Sequence, residues 1–121
     1  MLPELVIGNG SGLSRDARIS ADSMAKLLIG ARQSRFAPEF MTSLSLGGLD
    51  GTLEKRFQNV DDPSRVRMKT GTLKDVSCLA GLRHREDGQG FRGRRLRESL
   101  RGAEWPWEMI QSTVVDWALK Q

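Results

Sequence analysis

Lys69, Thr70, Gly71 and Thr72 follow one another inside "VRMKTGTLKD" (66–75), a stretch that reads as an extended strand from Val66 to Thr72. An ammonium and a hydroxyl side by side can together hold a carboxylate, and a following residue without a side chain lets a ligand lie against the strand edge. The backbone N–H of Thr72 can then donate to an oxyanion. The chemistry spelled by these four residues is therefore recognition of an anionic substrate. A strand that carries a lysine for no functional reason would show the same letters, so the context has to choose.

A nucleophile is the first thing to look for. The chain contains one Ser-x-x-Lys string, Ser23-Met24-Ala25-Lys26, in which the lysine stands one helical turn after the serine and could take its proton. Met24 and Leu27 beside it, however, form an apolar stripe that reads as packing. Ser14 in "GLSRD" is half of a nucleophile elbow, but Asp16 stands where the motif needs glycine, and the single histidine, His84, falls in a charged turn. "GNGSG" (8–12) is not a phosphate-binding glycine loop, because no strand of useful length precedes it. "KTGTL" is also similar to the phosphorylation motif of cation-transporting P-type ATPases, where an aspartate precedes the lysine and accepts the phosphoryl group. Here that position is Met68, a thioether that cannot be phosphorylated.

The elements that must position these residues are readable in outline. "IGNGSGLSRD" (7–16) has the glycine, asparagine and serine content of a loop. Ser20 is a good N-cap for a helix over 20–30, with Asp22 in its first turn and Met24, Leu27, Leu28 and Ala31 on one apolar stripe. A second short helix starts at Pro38, buries Phe40, Met41 and Leu44, and stops at Gly47-Gly48. "VSCLAGL" (76–82) reads as a second strand, joined to the first through Lys74-Asp75 as an antiparallel hairpin against which the helix over 20–30 should pack through Met24, Leu27 and Leu28. "FRGRRLRESLRGAEW" (91–105) has neither strand alternation nor a helical stripe and reads as irregular and solvated. "PWEMIQSTVVDWALKQ" (106–121) resumes as an amphipathic helix with Ile110, Val114, Trp117 and Ala118 on one face.

Composition narrows the class. A chain of 121 residues with 38% hydrophobic content suits one small domain or a piece of a larger one. Lys and Arg number 19 against 15 Asp and Glu, but five arginines lie between Arg92 and Arg101, so the excess is local. One cysteine, Cys78, and one histidine exclude an internal disulfide and a structural zinc site. The opening residues have neither the basic region nor the apolar run of a signal peptide, and nothing approaches the ~20 apolar residues of a membrane span, so a soluble chain is expected.

"GNGSGLSRDARIS" (8–20), "LGGLDGTL" (46–53) and "RMKTGTLKDVSCLAG" (67–81) resemble, in that order and at similar spacing, the C-terminal part of the D-alanyl-D-alanine carboxypeptidase/endopeptidase family, the class C low-molecular-mass penicillin-binding proteins. The resemblance implies an α+β fragment of the penicillin-binding-protein/β-lactamase-like transpeptidase fold, with an antiparallel hairpin and flanking helices. It implies a serine peptidase whose nucleophile attacks the D-Ala-D-Ala bond of peptidoglycan stem peptides and is acylated by β-lactams, working in the periplasm or cell envelope. Lys69, Thr70 and Gly71 match the family's third active-site motif. On that match Lys69 would be catalytic, assisting proton transfer and holding charge. Thr70, Gly71 and Thr72 would bind substrate, through the terminal carboxylate at Thr70 and the oxyanion at the Thr72 N–H. No metal or organic cofactor is implied.

The family's Ser-x-x-Lys and Ser-x-Asn motifs lie upstream of the glycine loop. Ser23 follows that loop, and neither Asn9 nor Asn59 has a serine two residues before it. The chain therefore reads as a C-terminal fragment without the nucleophile, inactive alone: residues 1–87 belong to the carboxypeptidase domain, 88–104 are an irregular arginine-rich segment, and 105–121 are the last helix of the same domain. After "LAGL" the family continues with a hydrophobic strand beside the Lys69 strand, and "GQGFRGRRLRESLRG" (88–102) stands in its place, a pattern that compensating frameshifts in the coding sequence would produce. A second reading is a noncatalytic basic module that binds nucleic acid or an anionic glycan through Arg92–Arg101. The run lacks interleaved aromatics and a recognisable binding fold, so nucleic acid is not the expected partner.

Overall fold

A computed structural model describes residues 2–58, 60, 62–74, 76–84, 91–98 and 107–120. The elements run α1 (Ala21–Gln33), α2 (Ala37–Thr42), β1 (Ser45–Leu46), a 3-10 turn (Gly51–Leu53), a second (Pro63–Arg65), β2 (Val66–Leu73), β3 (Val76–His84), β4 (Phe91–Glu98) and α3 (Trp107–Leu119). The four strands form one antiparallel sheet in the order β1-β2-β3-β4. Among the described residues no helix is long and apolar enough to cross a membrane.

The hairpin stands where the sequence puts it, with Lys69 opposite Ala80, Thr70 opposite Leu79 and Gly71 opposite Cys78. Strand alternation then sends Val66 and Met68 to the same face as Leu79. On that face they meet Leu53, Phe57 and Val115 of α3 to form the main core, flanked by Val60 and Leu119. The opposite face carries Arg67, whose Nη1 donates to the Met41 carbonyl of α2 at 3.1 Å. The sheet is thus enclosed by α1 and α2 on one side and α3 on the other.

Helix α1 begins as expected: the Ser20 hydroxyl accepts from the Ser23 N–H at 3.1 Å and caps the first turn. Its buried face agrees with the expected stripe only in part. Leu28 is buried as expected and the helix meets the hairpin through β3, but Ser23 is buried as well, Leu27 is 43% exposed, and the helix also lies against α2 and β4. In α3 Ala118 is buried as the expected Ile110–Val114–Trp117–Ala118 face requires, but among the described residues it is joined by Gln111 and Val115 while Trp117 is 51% exposed, so the inward stripe is centred about one residue away from that face. Pro106 lies outside the described residues.

The main correction concerns the arginine-rich segment expected to be irregular over 88–104. Its described part, 91–98, is the full-length strand β4, paired with β3 from His84–Phe91 to Ser77–Glu98. It adjoins β3, not the Lys69 strand; the neighbour of β2 on its other side is the two-residue β1. Strand formation here follows from the row of backbone donors and acceptors that β3 presents, which no side-chain pattern announces. Residues 88–90 and 99–104 lie outside the described set.

Candidate active site

The Lys69–Thr72 run occupies the second half of β2, where the strand is open on one side. β1 pairs with β2 only at Met68 and Arg67, so among the described residues no strand covers that edge from Lys69 to Leu73. Backbone groups there are available to an extended ligand. Lys69 is exposed, and its Nζ donates to the Thr70 carbonyl at 2.6 Å, folding the ammonium back along the strand. Alternation directs the Thr70 side chain to the other face. There its Oγ1 donates to Thr52 Oγ1 at 2.8 Å. Thr72 is exposed and paired with Ser77.

Gly71 leaves room for its cross-strand neighbour Cys78. A Cβ at this position would sit 2.6 Å from Cys78 Sγ, and the exposed Cys78 thiol lies 3.4 Å from the Gly71 carbonyl, to which it donates. The four residues singled out by the sequence are therefore contiguous on one open strand, with Lys69 and Gly71 on one face and Thr70 and Thr72 on the other.

Two polar anchors around this strand have no sequence signature. Thr52 lies 18 residues before Thr70. Gln111 is 2% exposed; its Nε2 donates to Ser77 Oγ at 3.1 Å and its Oε1 accepts from Arg56 Nη2 at 3.0 Å, tying α3 to β3 and to the 54–58 segment. Arg56 is half buried, its guanidinium 5.3 Å from the Phe57 ring centroid, and burial pulls its pKa below the ordinary arginine value while Glu108 opposes that shift. It lines a cleft of about 420 Å³ with Glu108, Met109, Thr113 and Asp116. Only the alternating polarity of α3 could have hinted at Gln111, and nothing in the sequence pairs it with Arg56.

Ser23 and Lys26 do not form a nucleophile–base pair. Ser23 is 4% exposed, and hydrogen bonds from the Ser20 and Ser23 side chains hold the Glu4 carboxyl down at about 2. Lys26 Nζ lies 2.5 Å from Asp22 Oδ2, and this contact raises its pKa, the wrong direction for a group that must take a proton from serine. Ser14 Oγ accepts from the Asp16 N–H at 3.2 Å within the exposed loop. That loop is closed at its base by the Val6–Arg18 bridge, with Gly10 and Gly12 at positive φ, and is held by contacts such as Ser11 Oγ to Asn9 Oδ1 at 2.8 Å.

An antiparallel sheet between helices, with a Lys-Thr-Gly strand open at its edge, is part of a penicillin-binding-protein type of α+β fold. Over its whole length the chain superposes on penicillin-binding protein 4 (dacB) from Haemophilus influenzae with a TM-score of 0.78 at 23% identity, covering 29% of that chain. A second structure of that protein, complexed with a β-lactam, gives 0.77 at the same identity. The chain belongs to the D-Ala-D-Ala carboxypeptidase 3 (S13) family, whose sequence pattern matches residues 2–93.

Similar curated proteins include a D-alanyl-D-alanine carboxypeptidase of Actinomadura sp. (strain R39), 37% identical over 82 residues. Others are penicillin-sensitive carboxypeptidase A of Dictyostelium discoideum, 33% over 76 residues, and D-alanyl-D-alanine carboxypeptidase DacB of Haemophilus influenzae, 32% over 79 residues. Each match takes in 61–64% of this chain but only 15–16% of the relative.

Proposed function

We propose that this chain is the substrate-strand portion of a serine-type D-alanyl-D-alanine carboxypeptidase/endopeptidase that acts on peptidoglycan stem peptides in the cell envelope and takes β-lactams in the same site. The observation that carries the proposal is the edge of β2 from Lys69 to Leu73, which no strand covers among the described residues, with Gly71 at its centre. A stem peptide laid along that edge would meet backbone donors and acceptors at strand spacing. The Lys69 ammonium would hold negative charge and support proton transfer, the Thr70 hydroxyl would donate to the terminal carboxylate, and the Thr72 N–H would stabilise the tetrahedral oxyanion. Residues 1–87 and 105–121 would belong to one domain, as Val115 in the core and Gln111 on Ser77 suggest.

Acylation needs an activated serine within reach of a base. Ser23 donates to Glu4 and Lys26 is held by Asp22, so the nucleophile would come from the larger part of the fold that this chain does not span. The chain alone should therefore bind without reacting. Titration with N-acetyl-D-Ala-D-Ala should shift the amide resonances of Lys69–Leu73, and the C-terminal carboxamide of the same peptide should shift them less. A fluorescent penicillin should leave the chain unlabelled. No shift on β2 would remove the substrate-strand reading, and stoichiometric labelling lost in Ser23→Ala would make Ser23 the nucleophile after all.

A further inference from the structure

The stretch "LGGLDGTL" (46–53) is built to a tighter specification than a connecting loop needs. Leu46 N–H donates to Asp50 Oδ1 at 2.7 Å, Gly48 N–H to the Leu53 carbonyl at 2.9 Å, and Leu53 N–H to the Asp50 carbonyl at 3.1 Å. Gly48 and Gly51 adopt positive φ, and a Cβ on Gly51 would lie 2.5 Å from Ser45 Oγ. Leu53 is completely buried in the main core, and Gly47 N–H bonds the Val66 carbonyl at 2.9 Å, so the turn is fastened to the start of β2. All of this fixes the backbone of the one residue between Gly51 and Leu53, which is Thr52. Its hydroxyl oxygen is 2.8 Å from Thr70 Oγ1.

A hydroxyl has one proton to donate and two lone pairs to accept with. An isolated Thr70 rotates among staggered positions and loses entropy when a ligand fixes it. With Thr52 beside it, one acceptor or donor position of Thr70 is occupied from a rigid turn, and the direction left open is defined. When an anion arrives, Thr52 can donate to Thr70 Oγ1 while Thr70 donates to the anion, a two-hydroxyl chain in which each bond polarises the next. From this geometry we infer that Thr52 is a positioning residue for carboxylate recognition: it sets the rotamer and proton direction of Thr70 without itself touching the substrate. This rests on the reading of Thr70 as the group that binds the substrate's carboxylate.

The test uses the chain itself with Thr52→Val, which keeps the shape and removes the hydroxyl, and Thr52→Ser, which keeps the hydroxyl. Side-chain scalar couplings of Thr70 should report a single staggered rotamer in the parent chain and in Thr52→Ser, and averaging in Thr52→Val. N-acetyl-D-Ala-D-Ala binding, read by amide shifts, should weaken about five- to tenfold in Thr52→Val, the size of one hydrogen bond, with the carboxamide peptide unaffected. An unchanged Thr70 rotamer and unchanged carboxylate preference in Thr52→Val would overturn the inference while leaving the substrate strand intact. Absence of carboxylate binding in the parent chain would instead remove the reading of Thr70, and the inference with it. Should Thr52→Val fail to fold, Thr52→Ala against Thr52→Ser provides the same comparison.

Discussion

Gly81 in β3 lies so close to Arg67 in β2 that a Cβ built on it would sit 2.1 Å from the Arg67 carbonyl oxygen, and 2.6 Å from the next Cα, that of Met68. Backbone cannot yield as a side-chain tip can, so the hairpin that carries Lys69 and Thr70 depends on this residue having no side chain. Gly81→Ala should cost about 2–3 kcal/mol or more in urea denaturation. Gly30→Ala in α1, where a Cβ meets nothing within 4 Å, is the control and should instead stabilise by about 0.5–1 kcal/mol. Equal effects of the two would show that the strand spacing is not as tight as described.

Gln111→Leu should destabilise by about 2–3 kcal/mol, because it removes the acceptor of a half-buried guanidinium and the donor to Ser77 together. Leucine matches the volume, so the loss would report the amide and not a cavity. A change under about 0.5 kcal/mol would mean that water replaces both bonds.

The Glu4 carboxyl gives a pH dependence with a defined sign. Its pKa is held at about 2 against an ordinary 4.5, so the folded state favours the charged form. The contribution is fully present above the ordinary value and is lost as pH falls through about 2. The difference in urea midpoint between the parent chain and Glu4→Gln should therefore shrink steadily between those two values. Ser23→Ala, which removes one of the donors, should narrow it as well. A constant difference across that range would disprove the assignment.

Among the described residues strand β4 lies at the edge of the sheet, with β3 on one side. About every second amide between Phe91 and Glu98 should exchange slowly with deuterium and the alternate ones quickly, as an antiparallel edge requires. Uniformly fast exchange would return this segment to the irregular state that its composition suggests.

What the sequence determined by itself was local. The cap at Ser20 and the turn around Lys74 are set by residues within a few positions of one another, and so is the extended run carrying Lys69, Thr70, Gly71 and Thr72. These features, with three short stretches matched in order, were sufficient to reach the family. Tertiary structure decided the phase of each helix. A helical stripe has a spacing that the sequence shows, but which side of it turns inward depends on the partner surface, so Ser23 is buried in α1 and Gln111 in α3 while Leu27 and Trp117 face outward. It also decided β1 and β4. One is too short to carry a pattern and the other is rich in arginine, and each is a strand because a neighbouring strand presents backbone groups at the right spacing. Thr52 reaches Thr70 for the same reason: the contact joins positions 18 residues apart, and only the folded turn between Gly47 and Leu53 brings the two hydroxyls within a hydrogen bond.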